Sequence, residues 1–401
     1  MQVKVKHTLA LILALVLSFG LVACNTDNSA KTNSPEQTTL AAEEKVDEKV
    51  TEEETQAPTE AADQETETEA QEKEAEQESE EAKEEQIFAG RQLNVVTTSE
   101  KYQELFDRFS AKTGAKVEFL SMSSGEVFSR VKAEGDSVSL DVWFGGGLDA
   151  FLAAKEDGLL EQYKPAGIED IRADYRDGDN YWLSKGITVA GFIVNNDILE
   201  EKGLDMPASW EDLAKEEYKD EVIMSNPAIS GTNYAVVKGL LDHFGEEEGW
   251  DLIEKINANI SFYGKRGKDP QEKTVAGEFA IGIIPADKSA FDAAEEHNCT
   301  VVYPDAIPWV PEGVAIFKNA ENLDVAKAFI DFMLEDDNLQ LLAELDGKDP
   351  AQMVKPGLKG AELGLPEDKL IKEDLTTFGS ERDAILEKFL EIAGDKAESK
   401  D

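Results

Sequence analysis

Two periods alternate along the chain once it reaches Leu93. Leu93 to Thr98 is an apolar run of strand length. Tyr102, Leu105, Phe106 and Phe109 then fall at i, i+3, i+4 and i+7, the spacing of a buried helix face, and Gly114 supplies the stop. The alternation repeats: a strand over Lys116 to Leu120 precedes a helix carrying Val127, Phe128 and Val131. A strand over Leu140 to Phe144 then precedes a helix carrying Leu148, Phe151 and Leu152 that ends before Gly158. Three strand-helix units in succession predict a parallel sheet covered by helices on both faces.

A second set begins after Pro207. Ser209 is placed to cap a helix with Trp210 and Leu213 on its buried face. Strands are predicted over Glu221 to Met224, Ala280 to Ile284 and Thr300 to Tyr303; between them lie helices bearing Tyr234, Val237 and Leu241, then Trp250, Ile253 and Ile260. Gly313 to Lys318 leads into a helix with Ala326, Phe329, Ile330 and Met333. A last helix starts at Ser380, whose spacing to Asp383 reads as a capping box, and presents Ile385, Leu386, Phe389 and Leu390. Residues 87–401 are more than one core commonly serves, which predicts two lobes.

The amino-terminal portion is of another kind. Lys4 and Lys6 precede an apolar run from Leu9 to Leu17, too short to span a bilayer, and the run closes on Leu21-Val22-Ala23-Cys24. That ending resembles the lipobox of bacterial lipoproteins. It reads as a secretory signal over residues 1–23 with Cys24 as the lipid-attachment residue; the other reading is an ordinary signal in which Cys24 is incidental. Asn25 to Gln86 contains no aromatic residue and sets 22 acidic residues against 5 basic ones. Such a stretch repels itself and buries too little apolar surface to fold, so residues 24–86 are expected to form a disordered acidic linker. The formal net charge of the whole chain is −45, which disfavours nucleic acid and acidic lipid surfaces as partners. Membrane contact is expected through the lipid anchor alone, outside the cell membrane or on its periplasmic side. Cys299 is the other cysteine, so no disulfide framework is expected.

Five segments carry a resemblance. They are "DVWFGGGLDAF" (Asp141 to Phe151), "GFIVNNDILEEKGL" (Gly191 to Leu204), "PASWEDLAKEEYKDEVIMSNPAISGTNYAVV" (Pro207 to Val237), "AGEFAIGI" (Ala276 to Ile283) and "GVAIFKNAENLDVAKAFIDFML" (Gly313 to Leu334). Together they resemble extracellular solute-binding proteins of ABC importers with the type II periplasmic-binding fold, in the branch that binds ferric iron, 2-aminoethylphosphonate or hexose phosphates. The resemblance implies an α/β protein of two lobes, a hinge of two strands crossing near Ile187 to Asn195 and Val310 to Phe317, and closure of the lobes over a small solute. It implies lobe 1 over 87–190, lobe 2 over 191–312, and a return to lobe 1 with the C-terminal helices over 313–401. A monomer that delivers its solute to a membrane permease, without a cofactor, is the expected form.

Where strands end and helices begin, free N–H groups attract an anion. Ser99, in the run Thr97-Thr98-Ser99, serves equally as an N-cap or as part of an oxyanion site. Gly145, Gly146 and Gly147 end a strand and open a helix with no side chain in the way, as a tight turn or as a point of close ligand approach. Ser230, Gly231 and Thr232 start the helix bearing Tyr234, and the resemblance places ligand contacts in that loop. After Tyr263, Arg266 is a candidate phosphate clamp or a solvated surface residue. The similar branch often has Ser-Gly where this chain has Arg266-Gly267, and His-Asp where it has Ala286-Asp287; Asp287 is kept as a candidate, and the anion's identity stays open.

Ferric binding is the alternative substrate reading. Iron-binding relatives typically carry adjacent tyrosines, whereas Tyr163, Tyr175, Tyr181, Tyr218, Tyr234, Tyr263 and Tyr303 are isolated, and no metal site is predicted. Hydrolase chemistry is disfavoured: beyond the signal only His243 and His297 remain, neither near a Gly-x-Ser-x-Gly sequence, and no Walker sequence or metalloprotease His pair occurs. An enzyme is therefore not expected. A surface sensor subunit or adhesin is the remaining class, since the fold alone does not separate it from a transport protein.

Overall fold

A computed structural model describes residues 86–397. The expected signal, Cys24 and most of the acidic linker lie outside the described residues. The first strand-helix units form as the periodicity predicts. Strand β1 (Gln92–Thr97) leads to helix α1 (Gln103–Thr113), β2 (Lys116–Ser121) to α2 (Ser124–Glu134), and β3 (Val142–Gly147) to α3 (Leu148–Glu156). β1 pairs in parallel with β2 on one side and β3 on the other. Gly114 ends α1 at φ 76°, a left-handed stop that glycine adopts without steric penalty. The periodic face of α1 packs as read: Phe106 and Phe109 meet Phe329 at ring-centroid distances of 5.9 and 5.3 Å.

Short β4 (Leu160–Glu161) is followed by the 13-residue β5 (Leu183–Asn195), buried along its whole length. β5 belongs to both halves of the molecule. Its first part pairs antiparallel with β10 (Trp309–Phe317), and residues from Ala190 onward pair with β8 (Ile281–Pro285) and β9 (Cys299–Val302). The first half is thus a sheet in the order β2-β1-β3-β10-β5, with β4 added to β10. The second has β5, β8, β6 (Val222–Ser225) and β7 (Ile260–Gly264), with β9 on the other side of β5. Around these strands run α4 (Asn196–Lys202), α5 (Gly231–Phe244), α6 (Glu246–Asn259), α7 (Asp269–Val275) and α8 (Lys288–Glu296); α9 (Leu323–Met333), α10 (Asp336–Asp346) and α11 (Arg382–Ala393) follow β10. β5 and β10 are the crossing strands, close to the expected positions.

Three sequence expectations need correction. Ile260 does not extend the helix of Trp250 and Ile253; it opens β7, because its β-branched side chain pairs opposite Val222 in the sheet. The Trp210 segment is not an α-helix but a bend followed by short 3₁₀ turns, although Ser209 still accepts the Asp212 N–H at 3.2 Å. The last helix begins at Arg382 rather than Ser380, whose hydroxyl turns back to the Thr377 carbonyl at 3.5 Å, so no capping box forms there. α11 packs on the second half, where Phe389 meets Tyr263 edge-on at 5.1 Å.

Candidate functional site

The loops after β1, β2, β3, β6, β7 and β8 surround a cleft of about 480 Å³. Ser99, Gly146, Gly147, Ser230, Gly231, Thr232, Arg266 and Asp287 all line it. Segments far apart in sequence reach one space because parallel strands deliver their loops to one edge of the sheet. Gly145 and Gly146 take φ of 89° and 108°, which a residue with a β-carbon rarely adopts. At Gly146 a β-carbon would also stand 2.7 Å from Ser124 Cβ.

Gly145, Tyr234 and Tyr263 are not brought to the cleft wall. Gly145 lies under Thr98 and Lys185, from which an added β-carbon would stand 3.0 and 3.3 Å. Tyr234 is fully buried and donates to the Phe378 carbonyl at 2.9 Å; Tyr263 donates to Asn257 Oδ1 at 2.8 Å. Burial pushes both phenols above their usual range. Their sequence neighbours face the cleft while their own positions turn into the core, which loop proximity alone does not reveal. The cleft does hold one tyrosine, Tyr102, read from the sequence only as part of a helix face. Its hydroxyl donates to Asp346 Oδ1 at 2.7 Å.

Helices α2, α3, α5, α7 and α8 begin at this space and differ in charge, and α7 carries Asp269 and Glu272 in its first turn. α2 carries a capping box in which Glu126 accepts the Ser123 N–H at 2.9 Å. α3 has Asp149 in its first turn, and α8 is capped by Asp287, which accepts the Ala290 N–H at 3.2 Å. α5 has no acidic residue in its first turn and no side-chain cap from Ser230. The Ser230 hydroxyl instead accepts from Asn233 Nδ2 at 3.0 Å, leaving its own proton available. Beside it the Arg266 guanidinium makes no hydrogen bond or ion pair among the described residues. The start of α5 therefore combines unpaired N–H groups, hydroxyls, the positive end of a helix dipole and a cation.

At the cleft floor lies an ion cluster that the sequence reading missed. Glu312 on β10 accepts from Lys185, from Thr188, and from Lys348 at 2.8 Å. Asp346 accepts from Lys185 and, at 2.8 Å, from Lys101. Burial alone would raise the Glu312 carboxyl, but Lys185, Lys348 and Lys101 outweigh it and hold it well below the usual carboxylate range. Asp346 follows the same pattern: burial opposes ionisation, and Lys185 with Lys101 overcomes it. These residues come from four separate segments with no motif linking them, so only the fold reveals the cluster.

The two halves touch directly beside the cleft. Gly125 N–H donates to the Ile229 carbonyl at 3.2 Å. Arg382 of α11 reaches Asp149 of α3, Nε to Oδ2 at 2.8 Å, with both side chains buried. Burial pushes the Asp149 carboxyl upward, and Arg382 only partly counters this.

The architecture is that of a type II periplasmic binding protein, two α/β halves joined by crossing strands with a cleft between loops. The chain belongs to the family of bacterial extracellular solute-binding proteins, whose model matches residues 141–370. A Haemophilus influenzae protein is 30% identical over 301 residues, 71% of this chain and 84% of its own length. A probable ABC transporter periplasmic-binding protein of Sinorhizobium fredii is 28% identical, covering 59% of this chain and 67% of that protein. The periplasmic binding protein AfuA of Actinobacillus pleuropneumoniae, solved with exogenous fructose-6-phosphate bound, superposes with a TM-score of 0.71 at 27% identity; the match covers 76% of this chain and 99% of that one. Proteins of this family bind solutes and deliver them to ABC permeases; they are not enzymes. No helix among the described residues is long and apolar enough to cross a membrane.

Proposed function

We propose that the protein captures a small phosphate-bearing solute, a phosphorylated sugar, in the cleft and closes its two lobes over it for an ABC permease. The lobes are 87–190 and 191–312, with 313–401 returning to the first before α11 crosses to the second. One observation carries the reading: of α2, α3, α5, α7 and α8, the helices that begin at the cleft, α5 alone lacks a carboxylate of its own, and Arg266 stands beside it. A phosphate there accepts from the Ser230 and Thr232 hydroxyls and the first N–H groups of α5, while Ser99 and Gly146 face it from the other lobe. The Glu312–Lys348–Thr188 group offers both acceptors and donors to the hydroxyls of the rest of the solute. Fructose-6-phosphate in AfuA supports this ligand class.

Iron is the weaker reading. Tyr102 is the cleft's tyrosine, and its hydroxyl is committed to Asp346, while burial and that carboxylate raise its phenol well above the ordinary range. Lipid attachment at Cys24 belongs to the same proposal, with the protein tethered outside the membrane by its acyl chains; Cys24→Ser then releases it from washed membranes. Melting of the chain with fructose-6-phosphate, fructose, orthophosphate and ferric citrate tests the solute class. A sugar phosphate at a hundred times its Kd stabilises by about 2.7 kcal/mol. A response to ferric citrate alone, or equal responses to fructose and its phosphate, overturns the reading.

A further inference from the structure

The floor of the cleft holds more positive than negative charge. Three lysines, Lys101, Lys185 and Lys348, meet two carboxylates, Glu312 and Asp346, which leaves one positive charge in excess. Both carboxylates are engaged within the cluster. One Glu312 oxygen accepts from Lys185 and the other from Thr188 and Lys348. One Asp346 oxygen accepts from Lys185, and the other from the Tyr102 hydroxyl, with Lys101 Nζ at 2.8 Å. The donors are not exhausted in the same way. Lys101 and Lys348 line the cleft, and 31% of the Lys101 side chain stays exposed there. An ammonium group has three N–H donors. That of Lys101 meets Asp346 alone among the described residues, and that of Lys348 meets Thr188 and Glu312. Each therefore keeps an N–H group without a protein acceptor.

Nothing else in the cleft removes the excess charge. Burial works against the charge on Lys101 and on Lys185, and Asp346 outweighs it in both, so neither sheds its proton. Among the other carboxylates at the cleft, Asp287 caps α8, and Asp269 accepts the N–H groups of Lys265 and Arg266 at 2.7 and 3.0 Å. Glu100 and Glu272 are exposed and pair with none of the three lysines. A charge held largely out of water requires a counter-charge, and the open side of this one faces the space that a solute enters. One excess charge and N–H groups on two neighbouring ammonium groups match a carboxylate, with its single charge and two acceptor oxygens. A second phosphate, at about −1.5 to −2, exceeds the match. A hydroxyl leaves the charge unanswered.

We propose, on the basis of the phosphate reading above, that the solute carries a carboxylate as well: a phosphorylated sugar acid. Its phosphate lies at the start of α5 beside Arg266, and its carboxylate lies on Lys101 and Lys348. Lys101 then determines specificity, separating sugar acids from neutral sugars that bear the same phosphate.

Three open-chain molecules of one size test this by calorimetry with the full chain. Glucitol 6-phosphate lacks only the carboxylate of 6-phosphogluconate, and gluconate lacks only its phosphate. The parent chain is expected to bind 6-phosphogluconate at least about tenfold more tightly than glucitol 6-phosphate, the gain from hydrogen bonds to a charged group. In Lys101→Gln that ratio falls towards one, and a general loss of stability in the variant cancels from it. Equal affinities for the two phosphates in the parent, or an unchanged ratio in Lys101→Gln, overturns the carboxylate and leaves the phosphate reading in place. Gluconate bound as tightly as 6-phosphogluconate overturns the phosphate reading on which the proposal rests, and binding of none of the three overturns both.

Discussion

Gly147 and Gly231 meet face to face between the two halves: a β-carbon on Gly231 would stand 2.5 Å from the Gly147 Cα, and one on Gly147 would stand 2.6 Å from the Gly231 Cα. Each glycine sits at the start of a helix that opens on the cleft, so the closeness of the halves is set by two absent side chains. Gly147→Ala and Gly231→Ala are expected to prevent this approach. Overpacking of this kind costs about 1–3 kcal/mol, seen as roughly 5- to 150-fold weaker solute binding and a larger radius of gyration in the liganded state. Affinity equal to the parent protein would show that closure does not need the contact.

Thr232→Val removes a hydroxyl donor at nearly constant volume. Against a charged phosphate oxygen the loss is about 1–3 kcal/mol, measured by calorimetry with the sugar phosphate. Arg266→Gln weakens binding further and lessens its dependence on ionic strength. Unaltered affinity in both variants would remove the anion from the start of α5.

The Glu312 cluster gives a pH signature. Because the Glu312 and Asp346 carboxyls are depressed in the folded protein, their stabilisation is complete above the unfolded carboxyl values of about 4 and is lost as pH falls through the folded ones. Glu312→Gln leaves Lys348 and Lys185 short of a counter-charge and is expected to destabilise by about 3–5 kcal/mol near neutrality. The gap between variant and parent in urea midpoint then narrows below about pH 4. A gap that stays constant into strong acid would assign the effect to packing instead.

Arg382→Met strands the buried Asp149 carboxylate, with an expected loss of about 3–5 kcal/mol. Adding Asp149→Asn removes the uncompensated charge, so the double variant is expected to be more stable than Arg382→Met alone. The displaced burden also shows in pH: without Arg382, only backbone N–H groups still oppose the burial of Asp149, and the single variant gains stability on mild acidification as the carboxyl takes up a proton. Strict additivity of the two substitutions would contradict this pairing.

Periodicity was enough to place the first three strand-helix units and the crossing strands, because burial on one helix face and along β5 leaves a direct imprint on residue choice. It failed where one apolar run ends and another begins without punctuation, as from Asn259 into Ile260, where a helix passes straight into a strand. Loop residues such as Ser230 and Arg266 were legible as chemistry at a strand-helix junction, whereas Tyr234 and Tyr263 were not separable from them until their hydroxyls were seen to bond inside the core. Lys185, Glu312 and Lys348 carried no signal. Charged residues are abundant in this chain; the pairing of β5 with β10 brings Lys185 to Glu312, and the segment after α10 adds Lys348.

That crossing also fixes an order of assembly. The strands of the second half lie in one continuous stretch, from Ala190 of β5 to Val302 of β9, so its sheet closes through connections of modest length. In the first half β3 and the early part of β5 find each other only through β10, which arrives after the whole second half. Contacts that wait on a long intervening segment form late. Until Trp309 to Phe317 is inserted, β3 presents an open edge of apolar residues, the part of the nascent molecule most prone to pairing with the wrong chain.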